Sequence, residues 1–441
     1  MKKVVLAVLL IGIAVILGAP FANGVLMERV VRQACSDINS MYADAGQDLS
    51  VEITDYQRGY RTSRIKWKIM LGRHEKLYGI KEIIVVDEAK HGLTGVISKS
   101  SLAENLWFAD LVGKQLDGKN PVDITTRCNL LGHIDSMVAL DAFSVQSGGD
   151  LLTIKPGKIT TTFSKGLKSI ASQGSWDGFT VGDQIDLGGI SFEANMEMVS
   201  TYIWNGDGSF TVAYAKAMAE QPPVDVSNFK CGFTMDFEES GNTVSVGADY
   251  GVDRFVTGEQ RIEDAFVRIG VNRIDARGYE NLVKVYTQIL NASMSTMAQA
   301  QDDPEKMQAA MQKQMLSNGM QLMAAFEKIL KNGLEIRISD LKASLPQGQI
   351  TGRIALGLKK DMTMAQFIPI IGQPSLALDI FSLQSDMRLP AVLAGDDPRW
   401  FTPLYPGMQT GLFEKNGDHM VHNAETREGK LYLNGQEVIL N

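Results

Sequence analysis

Residues 230–250 read KCGFTMDFEESGNTVSVGADY, and this stretch decides the fold class. Apolar and polar residues alternate over 230–237 and again over 243–250, which is the period of a β-strand. Between these segments, Glu239-Ser240-Gly241-Asn242 supplies residues that tolerate the positive φ of a tight turn. The stretch therefore predicts two antiparallel strands, each with one apolar and one polar face.

The same rhythm extends through the middle of the chain, from residue 121 to residue 272. Short alternating segments are separated there by Gly, Asn, Asp and Pro, and Asn205-Gly206-Asp207-Gly208 gives a second turn signal. Other segments of this kind cover residues 122–127, 159–163, 189–198, 209–214 and 265–271. The pattern predicts an antiparallel meander, and its monotony suggests one long curved sheet.

An apolar run near the N-terminus, residues 4–27, follows Lys2 and Lys3. As a helix it would reach about 36 Å, which is enough to cross a ~30 Å hydrocarbon core. The two lysines favour a cytoplasmic N-terminus. A cleaved signal peptide is the alternative, but Pro20 and Leu17 occupy the position where the peptidase needs a small residue. We therefore expect an uncleaved single-pass anchor in the inner membrane, with the C-terminal part in the periplasm.

Helical periodicity replaces the strand pattern at residues 279–332. A first helix is predicted from the apolar residues between 282 and 294, and Asp303-Pro304 is typical of the start of a second, which Asn332-Gly333 ends. The second helix carries a stripe that could bind a hydrophobic ligand or a partner helix, or could simply pack on the sheet as core. The candidate face consists of Met307, Met311, Met315, Met323 and Phe326, with Met320 and Leu330 on the same stripe.

Two short motifs point to a known family. Tyr56-Gln57-Arg58-Gly59-Tyr60 is followed by Ser63 and, one strand later, by His91-Gly92, while Leu431-Tyr432-Leu433-Asn434-Gly435 lies near the C-terminus. With the single N-terminal membrane segment, these motifs resemble the YdgA/YihF family of Gram-negative envelope proteins, a DUF945-like family of unknown function. The resemblance covers nearly the whole chain and departs at Leu93, where family members usually have proline. It implies a place in the cell envelope, and it assigns no role to Tyr56, Arg58, Gly59, Ser63, His91, Gly92, Asn434 and Gly435.

Composition and charge exclude several classes of function. The net charge of −8 argues against nucleic acid as a partner. Cys35, Cys128 and Cys231 are far apart and lack the spacing of a metal or redox motif, so either one bridge with a spare thiol or three isolated side chains is compatible with them. His419 and His422 are three residues apart on a predicted strand, where they face opposite sides. We expect no metal and no cofactor.

Catalytic motifs are also absent from the sequence. It has no glycine-rich phosphate loop, no His-Glu-x-x-His helix and no Gly-x-Ser-x-Gly elbow. Ser63 with Lys66, and Ser227 with Lys230, have the Ser-x-x-Lys spacing of penicillin-recognising enzymes, but they fall in predicted strands and lack the companion motifs. We therefore expect a protein that is not an enzyme.

These observations predict an α+β architecture: an N-terminal transmembrane helix, then an elongated, β-dominated antiparallel sheet with a helical hairpin packed on it. The expected regions are residues 1–27 as anchor, 28–278 as the mostly β region, 279–332 as the helical hairpin, and 333–441 as C-terminal strands with a proline-rich segment. The first function hypothesis is a non-catalytic envelope protein that binds lipid or another hydrophobic ligand along the sheet. The alternative is an assembly or scaffold factor that contacts other envelope proteins through residues 390–406.

Overall fold

The computed structural model describes residues 2–44, 48–72, 75, 80–103, 109–147, 149–218, 220, 222–299, 318–394 and 407–440. Most of these residues form antiparallel strands, and a few helices accompany them, as predicted. The chain divides into two compact units. Unit one contains residues 1–182, 191–201 and 286–315, and unit two contains residues 183–190, 202–285 and 316–441.

Unit one is built on an antiparallel sheet whose strands pair in the order β1-β2-β3-β4-β5-β6-β9-β10. Strands β7, β8 and β11 pair into a three-stranded ribbon. The strands are β1 Ser50–Arg58, β2 Thr62–Met70, β3 Glu82–His91, β4 Gly95–Leu102, β5 Val122–Asn129, β6 Ile134–Leu140, β7 Phe143–Ser147, β8 Asp150–Ile154, β9 Gly157–Phe163, β10 Ser169–Trp176 and β11 Phe179–Val181. The next strand, β12 Ile185–Met198, has residues in both units.

One long helix, α1 Lys2–Asp44, packs against the first strands of unit one. Its Met27 joins Ile65, Ala89 and Val96 in a buried cluster, and Cys35 is also buried. Farther along α1, the side-chain amide of Asn39 accepts from the Val51 backbone N–H at 2.7 Å and donates to the Val51 carbonyl at 2.8 Å. These two hydrogen bonds hold the C-terminal part of the helix against β1. The apolar run of residues 4–27 and the residues that follow it thus form one helix.

The predicted membrane span, residues 4–27, is not supported. None of the helices in the described part of the chain combines the length and the apolar character that crossing a membrane requires. The side chains of residues 1–18 lie outside the described ones. Moreover, Pro20, Asn23, Gly24 and Met27 are buried. The last third of the apolar run therefore contacts protein.

In unit two, antiparallel strands pair in the order β13-β14-β15-β16-β17-β18-β19-β21. Strand β21 also pairs with β20 and β22, and β22 pairs with β23. The strands are β13 Trp204–Ala217, β14 Val224–Glu238, β15 Thr243–Thr257, β16 Gln260–Asp275, β17 Glu335–Leu345, β18 Gly348–Leu358, β19 Phe381–Pro390, β20 Glu414–Asn416, β21 His419–Arg427, β22 Lys430–Leu433 and β23 Gln436–Val438.

Helical segments interrupt this order between β16 and β17 and again after β18. They are α2 Ala276–Gln299, whose first ten residues belong to unit two, α3 at residues 318–327, and α4 Phe367–Gly372. Gly278 of α2 approaches the backbone of Lys328 so closely that a Cβ would lie 2.7 Å from the Lys328 carbonyl oxygen. Shorter turns are the π-helix Ala109–Gln115 in unit one and the 3-10 turns Lys165–Leu167, Met364–Gln366, Pro374–Asp379 and Ala391–Ala394.

One predicted turn is wrong. Asn205-Gly206-Asp207-Gly208 is not a turn but lies inside β13, because Gly206, Asp207 and Gly208 pair with Met235, Thr234 and Phe233 of β14. On α3, Ala325 is buried, whereas the predicted stripe residues Met323 and Phe326 are exposed. Residues 301–317, with the predicted start of the second helix, and 395–406 of the proline-rich segment lie outside the described residues.

Candidate functional site: an open apolar sheet face

The sheet of unit two has one apolar face, which strand pairing makes continuous. Paired residues of an antiparallel ladder lie on the same side of a sheet. Cys231 of β14 pairs with Phe210 of β13 and with Tyr250 of β15. Farther along, Ile336 of β17 pairs with Leu356 of β18. Large apolar side chains therefore run across six adjacent strands on one side.

The middle of this face is open to solvent. We use the name open apolar face for its six large residues that are between 38% and 45% exposed: Phe210, Phe233, Tyr250, Ile269, Ile336 and Leu356. Neighbours such as Val267, Ile338 and Ile354 are only half-buried. An apolar patch that spans several strands without a cover differs from the scattered single hydrophobic residues of ordinary surfaces.

Both ends of the same face are covered. At one end, Val244 and Leu358 are buried in clusters that the first turn of α2 and residues 329–334 complete. At the other end, Leu389 packs with Leu393 and Met420. The open apolar face is thus the uncovered interval between two packed clusters.

The opposite side of the sheet is polar. There Lys230 pairs with Asp253 at 3.5 Å, and Arg268 with Asp249 at 3.4 Å. These are exposed ion pairs, which contribute little to stability. They keep this side of the sheet hydrated, so the two faces differ sharply in character.

The predicted ligand or partner residues are only partly described. Met307, Met311 and Met315 lie outside the described residues. Met323 and Phe326 lie on α3 and are 51% and 42% exposed, and Met320 beside them is 76% exposed. Their surface is therefore apolar and accessible, while Ile329 and Leu330, just beyond α3, pack in the core.

The N-terminal motif residues come together where α1 meets the sheet. Ser63 Oγ lies 2.9 Å from His91 Nε2, and both side chains are buried. Asn23 of α1 donates from Nδ2 to the Gly92 carbonyl at 2.6 Å. Gly24 leaves room for the imidazole, since a Cβ there would lie 2.4 Å from His91 Cε1. We call these contacts the helix seat.

The remaining motif residues surround the helix seat. Arg58 pairs with Glu28 of α1 at 2.8 Å, and its guanidinium lies 5.5 Å from the Phe21 ring centroid. Gly59 donates its N–H to the Thr62 carbonyl in the turn that follows β1. Tyr56 belongs to the apolar cluster around Met27. The residues of this motif therefore hold α1 against the strands of unit one.

Burial perturbs two titratable groups in this region. Desolvation lowers the pKa of His91, since its charged form loses water. Desolvation likewise raises the pKa of the Asp87 carboxyl, although Trp67 Nε1 donates to Asp87 Oδ2 at 2.6 Å and opposes the shift. A Ser–His pair resembles a nucleophile with its base, but at 4% exposure for each partner it offers no access to a substrate.

The C-terminal motif forms a comparable attachment in unit two. Asn434 and Gly435 adopt φ of 49° and 82° in the turn between β22 and β23. Asn434 Nδ2 donates to the Gly411 carbonyl at 3.0 Å. Nearby, His422 Nδ1 donates to the Leu412 carbonyl at 2.8 Å, so Nε2 accepts from Ser385 Oγ at 2.5 Å. A second buried Ser–His pair thus fixes residues 407–413 to the sheet.

Other sites predicted from the sequence remain separate. His419 contacts Arg388 at 3.2 Å and does not converge with His422. All three cysteines are free thiols. Within the described ranges, no three His, Cys, Asp or Glu side chains cluster in a way that could hold a metal ion. The Ser–His pairs were missed by sequence reasoning, because their members are 28 and 37 residues apart.

Comparison with known proteins identifies the family. No curated protein and no solved structure matches the sequence. Residues 1–441 match the family described as bacterial protein of unknown function, DUF945. The match includes both motif regions and both structural units. The chain therefore belongs to the DUF945 family of bacterial proteins of unknown function.

Proposed function

We propose that this protein is a non-catalytic envelope protein that binds lipid acyl chains, or a hydrophobic ligand like them, on the open apolar face. The observation that carries the proposal is the uncovered interval between the two packed clusters of unit two. A sheet that served only as a scaffold would gain stability by covering these side chains. Leaving them accessible is consistent with a ligand that completes the core.

The dimensions of the open apolar face support this assignment. Its six residues lie on the six strands from β13 to β18, and five inter-strand spacings correspond to about 24 Å. One leaflet of a bilayer has a hydrocarbon thickness of about 15 Å, half of the ~30 Å core. The face is therefore wide enough for an acyl chain that crosses the strands.

The energy available is also sufficient. If each of the six side chains exposes roughly 80 Å², covering them removes about 500 Å² of apolar surface from water. At about 25 cal/mol per Å², the gross gain approaches 12 kcal/mol, from which the costs of ordering the ligand must be subtracted. Patches of this size on monomeric proteins are often binding sites.

The second part of the proposal is that the N-terminal apolar residues anchor the protein in a membrane. Because residues 20–27 contact protein, the segment available for the membrane shrinks to residues 4–19, which reach about 24 Å as a helix. This is short for a ~30 Å core, and Lys2 and Lys3 can extend their side chains toward the headgroups to reduce the mismatch. The expected location is the inner membrane, with the chain from residue 20 onward in the periplasm.

The test is native mass spectrometry of the full chain, purified in a mild detergent and released from it in the gas phase. We expect retained phospholipid, and Phe233→Asp should lower the number of lipids retained per chain by one because a carboxylate enters the apolar face. Thr234→Asp is the matched control, since it adds the same charge to the next residue of β14 on the polar face. Equal lipid in both variants would refute the site. A protein that retains no lipid but crosslinks repeatedly to one envelope protein would favour the scaffold alternative.

A further inference from the structure

Unit one contains a cleft of about 380 Å³ between α1 and two loops. Leu26, Val30 and Ala34 line it from one side of α1, spaced four residues apart as helical neighbours are. The opposite wall consists of residues 130–134, after β5, and residues 164–167, after β9. The cleft thus has a helix on one side and two turns of the sheet on the other.

The loop wall is unusually apolar and partly strained. Leu130 is 52% exposed and Leu131 is 73% exposed, although they adjoin an apolar cleft. Leu167 has φ of 57°, in the left-handed region that a leucine rarely adopts. Strained residues of this kind concentrate at ligand sites, where the surrounding structure holds them in place. Both observations indicate that the wall serves a ligand.

Charge at the cleft is arranged along α1. Arg29 and Lys165 both line it and are exposed, and neither forms an ion pair with the residues that the structure describes. Asp37 also lines the cleft, but it lies eight residues beyond Arg29, about 12 Å along the helix axis. Its carboxylate accepts from Gln33 Nε2 at 2.7 Å. The N-terminal part of the cleft is therefore basic and apolar.

We propose that this cleft holds one acyl chain of an anionic membrane phospholipid, with the phosphate bound by Arg29 and Lys165. Its volume falls in the range of small-ligand sites. The lipid's route of entry rests on the proposed membrane location of residues 4–19, which belong to the same helix α1 as the residues that line the cleft. The proposal concerns unit one and goes beyond the open apolar face of unit two.

The experiment uses the full chain reconstituted in mixed phosphatidylglycerol and phosphatidylcholine vesicles. A trace of phosphatidylglycerol carries a photoreactive diazirine in its acyl chain, and labelled peptides are found by mass spectrometry after irradiation. We expect label on residues 26–37 and 130–134. Ala34→Trp fills the cleft and should reduce this label at least fivefold. Ser36→Trp is the control, because Ser36 lines a separate groove against β1.

The charge arrangement is tested by changing the probe. Label from the phosphatidylglycerol probe should exceed label from a matched phosphatidylcholine probe about tenfold, and Arg29→Gln with Lys165→Gln should remove that preference. Equal labelling by the two probes, or label that survives Ala34→Trp, would overturn the proposal. Peptides of β14 in the same digest report on unit two independently, so failure at one site is distinguishable from failure at the other.

Discussion

The most direct prediction concerns Gly24→Ala at the helix seat. The new Cβ would lie 2.4 Å from His91 Cε1 and 2.5 Å from His91 Nδ1, well inside van der Waals contact. Two relaxations are available: the imidazole moves and loses its 2.9 Å contact with Ser63, or α1 lifts from the sheet and exposes Met27. Either one weakens the attachment of α1.

The size of the effect follows from three contributions. Overpacking of a buried contact costs about 1–3 kcal/mol. Leaving a buried hydrogen-bonding group without its partner costs about 1–3 kcal/mol. Ala in place of Gly inside a helix returns about 1 kcal/mol. We expect the free energy of local opening of α1 to fall by about 1–5 kcal/mol.

Native-state hydrogen exchange of peptides from residues 20–40, in the full chain, measures that opening. The control is the same substitution in a His91→Ala background, where the ring that would clash is gone. There Gly24→Ala should stabilise α1 slightly through helix propensity alone, so the two substitutions couple strongly. If Gly24→Ala has the same effect in both backgrounds, the contact between Gly24 and His91 does not determine how α1 is held.

Three further predictions follow from the attachments. Because burial lowers the pKa of His91, the neutral imidazole stabilises the fold above pH 6.5, and this stabilisation is lost as the pH falls through the lowered pKa. Denaturation at several pH values should show the free energy of unfolding falling by up to about 1.4 kcal/mol per pH unit in that range. His91→Gln should abolish this pH dependence. Because burial raises the pKa of Asp87, the protonated carboxyl stabilises the fold below pH 3.8, and this stabilisation is lost as the pH rises through the raised pKa. Asp87→Asn keeps an acceptor for Trp67, so it should raise the free energy of unfolding at pH 7 and leave it unchanged at pH 3. A lower free energy of unfolding at pH 7 would contradict the raised pKa. Asn434→Ala should lower the denaturation midpoint through the loss of about 1–2 kcal/mol, and Asn434→Gly should recover part of it by accommodating the φ of 49°; equal losses would show that the turn geometry is unimportant.

The sequence pattern predicts the strands, but the predicted strands are shorter than those in the structure. Strand β14 runs Val224–Glu238, whereas alternation predicts only residues 230–237, because Asp225 and Asn228 look like a turn. Likewise β13 continues through Gly206 and Asp207. Polar and glycine residues interrupt an alternation without ending a strand, since the backbone ladder pairs whatever side chains face the water. The sequence therefore predicts that these strands exist, but it does not predict how long they are.

The open apolar face shows a different limit. Alternation identifies which side chains share a face, so Phe233 and Tyr250 could be placed on the apolar side from the sequence. Whether that side is covered depends on elements far away in the chain, such as residues 329–334 and 389–393. The methionine stripe shows the same limit, because its sequence pattern is the same whether it packs against protein or faces solvent.

The helix seat was recognisable only as a motif. Tyr56, Ser63 and His91 carry the family resemblance, but no local periodicity brings a serine to a histidine 28 residues later. The register of β2 and β3 does so, by placing Ser63 opposite Ala89. A sequence motif can therefore be recognised even where the long-range contacts that explain its residues cannot be predicted.

The course of α1 determines which part of it can bend. Pro20 lies inside the helix, where it leaves one carbonyl without its backbone donor and favours a kink. After Pro20, the hydrogen bonds of Asn23 to Gly92 and of Asn39 to Val51 hold the helix against the strands. A force on the first turns is therefore absorbed at Pro20, and the part of α1 that follows keeps its place on the sheet.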